Sequence, residues 1–561
     1  MRGPGGGTAS PGAAAGEGTG SPSAAPGSRV GPAILTGLVF FLCFPHPLGG
    51  RVIDAGVGLA WLAPALLLWT LRDLPPRRAA RLGFVTLWLA YAAILHWIYV
   101  VTVSYGHGHP AVGVVAPLLL ALYIALFGGL FGGLWSWLGT RGLACAWSAA
   151  AVWTALDHGR SWLFSGFPWA TLGYAQHQNP ALLGLASFTG VYGLSFVSVL
   201  GGAAALELLR ARAAGRRVAV STWSAVAGVV ALHGLGLAAS APEPAASVRT
   251  AVVQGNIEQG VKWSESWRER TLETYERLSR EAAAAGAELV VWPETAVPGA
   301  LELDAGAQRR LASLARETGA ALVVGSVGVE VDARGRPVRY FDSAFVYHAD
   351  GARGERFDKT HLVPFGEYIP FQDWLGRFLS AVARGIATAS VTPGDAPRAV
   401  EVELADGRRL RLGVPVCYEL LFPDLVRRFA AGGGGALLGI TNDAWYGRTG
   451  APHQFLAITA LRAAETRLWV ARAANTGVSA FIDASGAVRE QTPIFEEAWR
   501  LHDLPLHPEP ERASFYVRHG DVFAGLCWAG LALGLGWGAL RGRMSEAPTA
   551  PLRANQSPED D

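Results

Sequence analysis

The residues best suited to chemistry lie in the second half of the chain. Cys417 closes the stretch RLGVPVCYE, residues 411–419, where a short β-branched run meets a small-residue break. A buried strand that ends this way delivers its last side chain to a strand-to-helix elbow, where α/β enzymes expose a nucleophile. The other cysteines, Cys43, Cys145 and Cys527, lie in strongly apolar stretches, which leaves Cys417 as the candidate nucleophile. A thiol attacks only as thiolate, so it needs a base or a positive charge beside it. Glu294, in VVWPETAVP, follows an apolar strand and a proline that ends its pairing. The carboxyl end of a strand is where α/β folds place chemistry, although a loop or helix-starting acid fits the position equally well. An ordinary Glu is about four pKa units too weak to deprotonate a thiol. A base role therefore requires burial, for which Val291, Trp292 and Val297 are suited.

Lys359, in RFDKTHLVPFGEYIP, is an isolated ammonium among Phe, Leu, Val, Pro and Ile. In that setting it would depress the thiol pKa and stabilise an oxyanion as a carbonyl is attacked. Glu367 follows on the same segment and either pairs with Lys359 or stands as a surface acid. Glu419 is expected as a second carboxylate turned into the pocket, and Tyr418 as a hydroxyl or backbone amide at the oxyanion position. Both also fit as structural helix-start residues. Asn442 and Asp443, after a glycine-rich turn, are expected to cap the next element. The 13 His show no HExxH spacing and the four Cys no CxxC spacing, so neither a metal site nor a disulfide framework is offered, and no cofactor is expected.

These residues need an α/β scaffold, and the stretch 243–518 reads as one. SVRTAVVQGN, AELVVWPET, ALVVGSVGV, SAFVYHAD, RLGVPVC and ALLGITND read as strands, interleaved with amphipathic helices such as the one from Trp267 to Ala285. Strands alternating with helices in one region indicate a single α/β domain. The flanks are different in kind. Hydrophobic residues make up 51% of the 561-residue chain, more than soluble proteins carry. Apolar runs at about 31–46, 54–71, 82–104, 111–139, 143–158, 181–208, 218–239 and 521–540 predict about eight membrane spans. Residues 29–242 then form a bundle of about seven helices and 519–543 a last one. The tails 1–28 and 544–561 are too polar or too small in side chain to bury a core and are expected to be disordered. Arg72, Arg77, Arg78, Arg81, Arg141, Arg210, Arg212, Arg216, Arg217, Arg541 and Arg543 fall in alternate connections. By the positive-inside rule these face the cytoplasm, which puts both termini inside and the α/β domain outside. A net charge of +2 gives no support for a nucleic-acid partner.

The order Glu in VVWPET, Lys in FDKTHLVPFGEYIP, Cys in VPVCYE resembles the Glu-Lys-Cys triad of the nitrilase, or carbon–nitrogen hydrolase, superfamily. The longer words VVQGNIEQGVKW, HLVPFGEYIP, TNDAWYG, RAANTG and GFPWATLGY are similar to the apolipoprotein N-acyltransferase family over about residues 31–540. Phe357 departs from the tyrosine expected there. The resemblance implies a nitrilase-like αββα sandwich inserted between the last two helices of a polytopic membrane bundle, on the periplasmic side of a bacterial inner membrane. It implies catalytic Glu294, Lys359 and Cys417, supporting Glu367, Tyr418 and Glu419, and Trp263 as a pocket residue. Trp162, Phe164, Phe167 and Trp169, in the connection after the fifth span, would guide acyl chains or form an ordinary aromatic belt. The implied donor is a membrane phospholipid, the acceptor a diacylglyceryl apolipoprotein, and the chain a monomer. The segment 371–389 would be a lid facing the membrane. A tethered amidase acting on small amides is the rival reading, but a tether needs one span. A transporter is a weaker rival, because the spans are almost free of Asp, Glu and Lys.

Overall fold

The computed structural model describes residues 29–106, 108–240, 242–260, 265–368, 391–507 and 513–546. Trp263, the segment 371–389 and the N-terminal tail lie outside the described residues. The first part of the chain is helical: α1 (Val30–Leu42), α2 (Gly56–Leu71), α3 (Pro76–Ile94), α4 (Pro110–Thr140), α5 (Ala146–Gly159), α6 (Pro180–Ala213) and α7 (Val220–Ala238). Among the described residues, four helical segments are long and apolar enough to cross a membrane: α4, α6, α7 and Val522–Arg543 of the last helix, Val522–Glu546. That is fewer than the eight apolar runs predicted. The helices α1 and α2 are apolar but have 13 and 16 residues, because the chain leaves α1 for the hairpin β1 (His46–Leu48) and β2 (Arg51–Ile53). The first turns of α3 carry Arg77, Arg78 and Arg81, and α5 has 14 residues, its start set by a capping interaction at Cys145.

Helix α6 is broken at Gly190, whose φ of 63° lies where L side chains rarely go. The N–H of Val191 freed by the break donates to Glu465 Oε1 at 2.8 Å. That carboxylate belongs to the other part of the molecule, so one carboxylate joins the two.

Residues 246–506 form two sheets. The first contains β3 (Ala246–Gln254), β4 (Leu289–Val291), β5 (Val297–Ala300), β6 (Ala321–Val331), β7 (Pro337–Tyr347), β8 (Arg353–Asp358) and β15 (Ala498–Leu506), in the order β15-β3-β4-β6-β7-β8, with β5 beside β6. The second runs β14 (Val488–Gln491), β13 (Ala480–Ile482), β12 (Val470–Ala474), β11 (Ala436–Thr441), β10 (Arg409–Gly413), β9 (Ala399–Glu403). Strands β3, β4 and β6 are parallel to one another, as are β10, β11 and β12. Every residue of β11 is buried, which is why ALLGIT reads as an unbroken apolar run rather than an alternating one.

Helices α8 (Glu265–Ala284) and α9 (Ala305–Thr318) pack on the first sheet. In α8 the buried residues Leu272, Tyr275, Leu278 and Ala282 recur at helical spacing and meet Trp292, Leu311 and Leu314 in a cluster of their own. The helices Pro423–Ala431 and Ala451–Thr466 pack with the second sheet, and Ala451–Thr466 also lies against α6. A single apolar cluster therefore runs from Tyr91 and Trp169 in the helical part, through Phe455 and Ile440, to Val252 and Val291 on the first sheet.

Candidate active site

The elbow that carries Cys417 starts where Val416 bridges in parallel to Ile440 of β11 and the backbone then turns into the 3₁₀ segment Cys417–Leu421. Cys417 has φ of 48°, an uncommon left-handed conformation for a residue with a side chain. Such strain is sustained only where the surroundings over-determine it. Glu419 is one cause. Its Oε2 accepts from Val416 N at 2.8 Å, and its Oε1 accepts from Thr360 N at 2.8 Å, Thr360 Oγ1 at 2.7 Å and His361 N at 3.3 Å. Of the two readings open from the sequence, a carboxylate turned into the pocket or a structural helix-start residue, these bonds match the second. Both Glu419 oxygens are used to fasten the Cys417 elbow to the segment that follows Lys359.

Lys359 is fully buried at the end of β8. Its Nζ donates to Glu294 Oε1 at 3.2 Å, Asp342 Oδ2 at 3.2 Å and Glu367 Oε1 at 2.5 Å. Burial works against the ammonium, but the charges of Glu367, Glu294 and Asp342 outweigh it and hold the Lys359 pKa well above its ordinary value. The second oxygen of Glu367 accepts from Val363 N at 2.8 Å. Burial and the charge of Glu294 raise the Glu367 carboxyl, against the pull of Lys359. The oxygens of Glu294, Asp342 and Glu367 lie within 4.8 Å of one another. Such a trio resembles a cation site, and the cation at its centre is the lysine.

Cys417 is buried, and burial followed by the charge of Glu294 pushes its thiol pKa well above the ordinary value, opposed by Lys359. Cys417 therefore rests as a thiol rather than a thiolate. Glu294, whose charge acts on that thiol, lies just beyond β4 behind Pro293 and is 6% exposed.

Asp342 was not singled out from the sequence. A signal existed, since a lone acid sits inside the apolar strand run YFDSAFVY. No spacing rule links it to Lys359, because the two meet only through the β7–β8 pairing.

The remaining candidates fall in different places. The Tyr418 hydroxyl reaches Gly166 O at 3.4 Å on the connection after α5, and its ring stacks near His361. Trp169 is buried, its indole N–H donating to Gln454 Oε1 at 2.8 Å, and it packs against Trp97, Tyr446 and Phe455. It is a wedge beneath the α/β domain and not part of an exposed belt. Phe167 stacks with it at 6.3 Å, whereas Trp162 and Phe164 are exposed. Phe357 is buried against Phe429. Neither Asn442 nor Asp443 caps the following turn with its side chain. Asn442 bonds Gln259 and Asn475, and Asp443 pairs with the fully buried Arg472 at 2.8 Å. Packing between strand ends supplied these residues with partners that the local pattern did not show.

The profile of the carbon–nitrogen hydrolase family matches residues 249–507, and that of the apolipoprotein N-acyltransferase N-terminal domain matches residues 36–204. The apolipoprotein N-acyltransferase of Geobacter metallireducens is 40% identical over 512 residues, covering 89% of this chain and 93% of the relative. That of Azotobacter vinelandii is 35% identical over 499 residues, covering 88% of this chain and 92% of the relative. Among solved structures, an amidase from Nesterenkonia sp. matches at 20% identity with a TM-score of 0.36, covering 52% of this chain and all of that one.

Proposed function

The chain belongs to the apolipoprotein N-acyltransferase family, and on that premise we propose that it moves an acyl chain from a membrane phospholipid to the N-terminal amine of a diacylglyceryl-cysteine lipoprotein through a thioester on Cys417. The observation that carries this reading is the convergence of Glu294, Lys359 and the strained Cys417 elbow. In the first half-reaction Glu294 takes the Sγ proton and the thiolate attacks the ester carbonyl carbon. The ammonium of Lys359 and a backbone N–H near Tyr418 stabilise the oxyanion. The C–O bond breaks, Glu294 returns the proton to the departing lysophospholipid oxygen, and a thioester remains. In the second half the acceptor amine attacks, its proton passes to Glu294, the C–S bond breaks and the thiol is restored. Exclusion of water from the buried site favours amine over hydrolysis.

Glu367 holds Lys359 in place, and Tyr418 and Glu419 hold the elbow. Phe167, stacked on the buried Trp169, would contact the acyl chain, and Trp263 is assigned to the pocket by family likeness alone. The α/β region is an αββα sandwich carried between α7 and the last helix, facing the periplasm, with both termini cytoplasmic and the chain acting as a monomer in the inner membrane. The Arg-rich connections support that orientation. The test is intact-mass analysis of detergent-solubilised protein after incubation with phospholipid. Wild type gains one acyl chain that neutral hydroxylamine removes, and Cys417→Ala gains none. A folded wild type that takes up no acyl group would sink the scheme.

A further inference from the structure

Around Lys359 three carboxylates share one ammonium. Their carboxylate oxygens lie within 4.8 Å of one another in a buried site, and like charges that close favour the uptake of a proton by one of them. Which of them takes it follows from their hydrogen bonds. Glu367 receives Lys359 Nζ on one oxygen and Val363 N on the other, so both of its oxygens face donors, as suits a carboxylate. Glu294 must be ionised to accept the Cys417 proton. Asp342 is 8% exposed, receives Lys359 on Oδ2 at 3.2 Å, and its Oδ1 has no hydrogen-bond partner among the described residues. The groups that face it are Glu294 beyond β4, and Lys359 and Glu367 beyond β8. Val327 is its partner in the β6–β7 register. Its backbone carbonyl accepts from Lys359 N at 2.8 Å, so Asp342 holds the lysine by main chain and side chain together.

We propose that Asp342 is a positioning residue that works in its protonated form, its carboxyl O–H directed to Glu294, so that Glu294 stays ionised to receive the Cys417 proton. Burial first, then the charge of Glu294, drive the Asp342 carboxyl in the same direction, well above the ordinary range. A neutral donor beside Glu294 also favours its charged form. The inference rests on the proton transfer from Cys417 to Glu294 proposed above.

The test uses the full-length protein in detergent and two readouts that need no lipid. The first is infrared spectroscopy at pH 7. The carbonyl stretch of a protonated carboxyl is expected in wild type and lost in Asp342→Asn. An unchanged spectrum means that Asp342 was ionised and overturns the proposal. The second is the rate of Cys417 alkylation by iodoacetamide against pH, read by peptide mass. Asp342→Asn, which keeps an acceptor and a donor, stays within about threefold of wild type with the acid limb in place. Asp342→Ala moves the acid limb up by about one pH unit, because Glu294 loses its donor. An Asn variant as impaired as the Ala variant, or an Ala variant with wild-type rate and limb, also overturns the proposal. If Asp342→Ala does not fold, the infrared comparison decides. An intact carboxyl band in a protein that takes up no acyl group would leave Asp342 protonated and remove the acyl-transfer scheme instead.

Discussion

His361 shows how one side chain near the site reports on it. Its imidazole lies against Phe422 at 4.0 Å and Tyr418 at 5.7 Å, and burial followed by the charge of Lys359 pushes its pKa down to about 4. An unfolded histidine takes a proton near pH 6.5 and the folded one only near 4, so the unfolded state binds more protons between those values. The stabilisation is complete above about pH 6.5 and is lost as pH falls toward 4, by up to about 3 kcal/mol. Thermal melts of wild type and His361→Phe across that window should show a smaller acid-side fall in the variant. Parallel curves would remove His361 as the source. At this scale the sequence was most legible for Cys417 and Glu294, each of which ends a strand-like run, and for Lys359, an isolated ammonium in an apolar segment. It was least legible for Asp342, Asn442 and Asp443, whose partners come from other strands.

Elements impose their own requirements, and the break in α6 is the sharpest. The apolar run 181–208 marks a helix there but gives no sign that the helix is interrupted, because a glycine within an apolar run is common. What makes Gly190 necessary is distant in sequence. A Cβ at that position would stand 2.7 Å from the Tyr516 ring, with φ at 63°. Gly190→Ala is expected to cost about 2–4 kcal/mol from backbone strain and overpacking. Gly234→Ala in α7, where nothing lies within 4 Å, is expected to change stability by less than about 1 kcal/mol. Melting both variants in the same detergent checks this, and equal melting temperatures would mean that the break tolerates a side chain. Element type was legible wherever periodicity was strong, as in α8 and β11. Helix length in the N-terminal part was not, because hydropathy does not see where a helix ends inside an apolar run: the run 82–104 continues past the end of α3 at Ile94, and the run 31–46 enters the β1–β2 hairpin.

The N-terminal helical part and the α/β part are joined by contacts to one helix of the latter, Ala451–Thr466: Trp169 to Gln454, Arg462 to the Tyr174 hydroxyl at 3.3 Å, and Val191 N–H to Glu465. The proposed orientation in the membrane rests on charge alone, and it has a direct check. In intact spheroplasts an impermeant maleimide should label Gly335→Cys, on the exposed turn between β6 and β7. Gly215→Cys, between α6 and α7, should label only after permeabilisation. The reverse pattern would invert the topology. The apolar cluster that runs unbroken from the helices to the inner sheet faces has a consequence for how the protein is made. The ribosome releases the helical part first, so the sheets emerge beside a surface already laid down for them, and the second sheet completes its core against that surface. The cluster under α8 and α9 is separate and draws on no membrane residue. That outermost layer can consolidate on its own schedule, and mutations within it should slow or weaken folding without stalling membrane insertion.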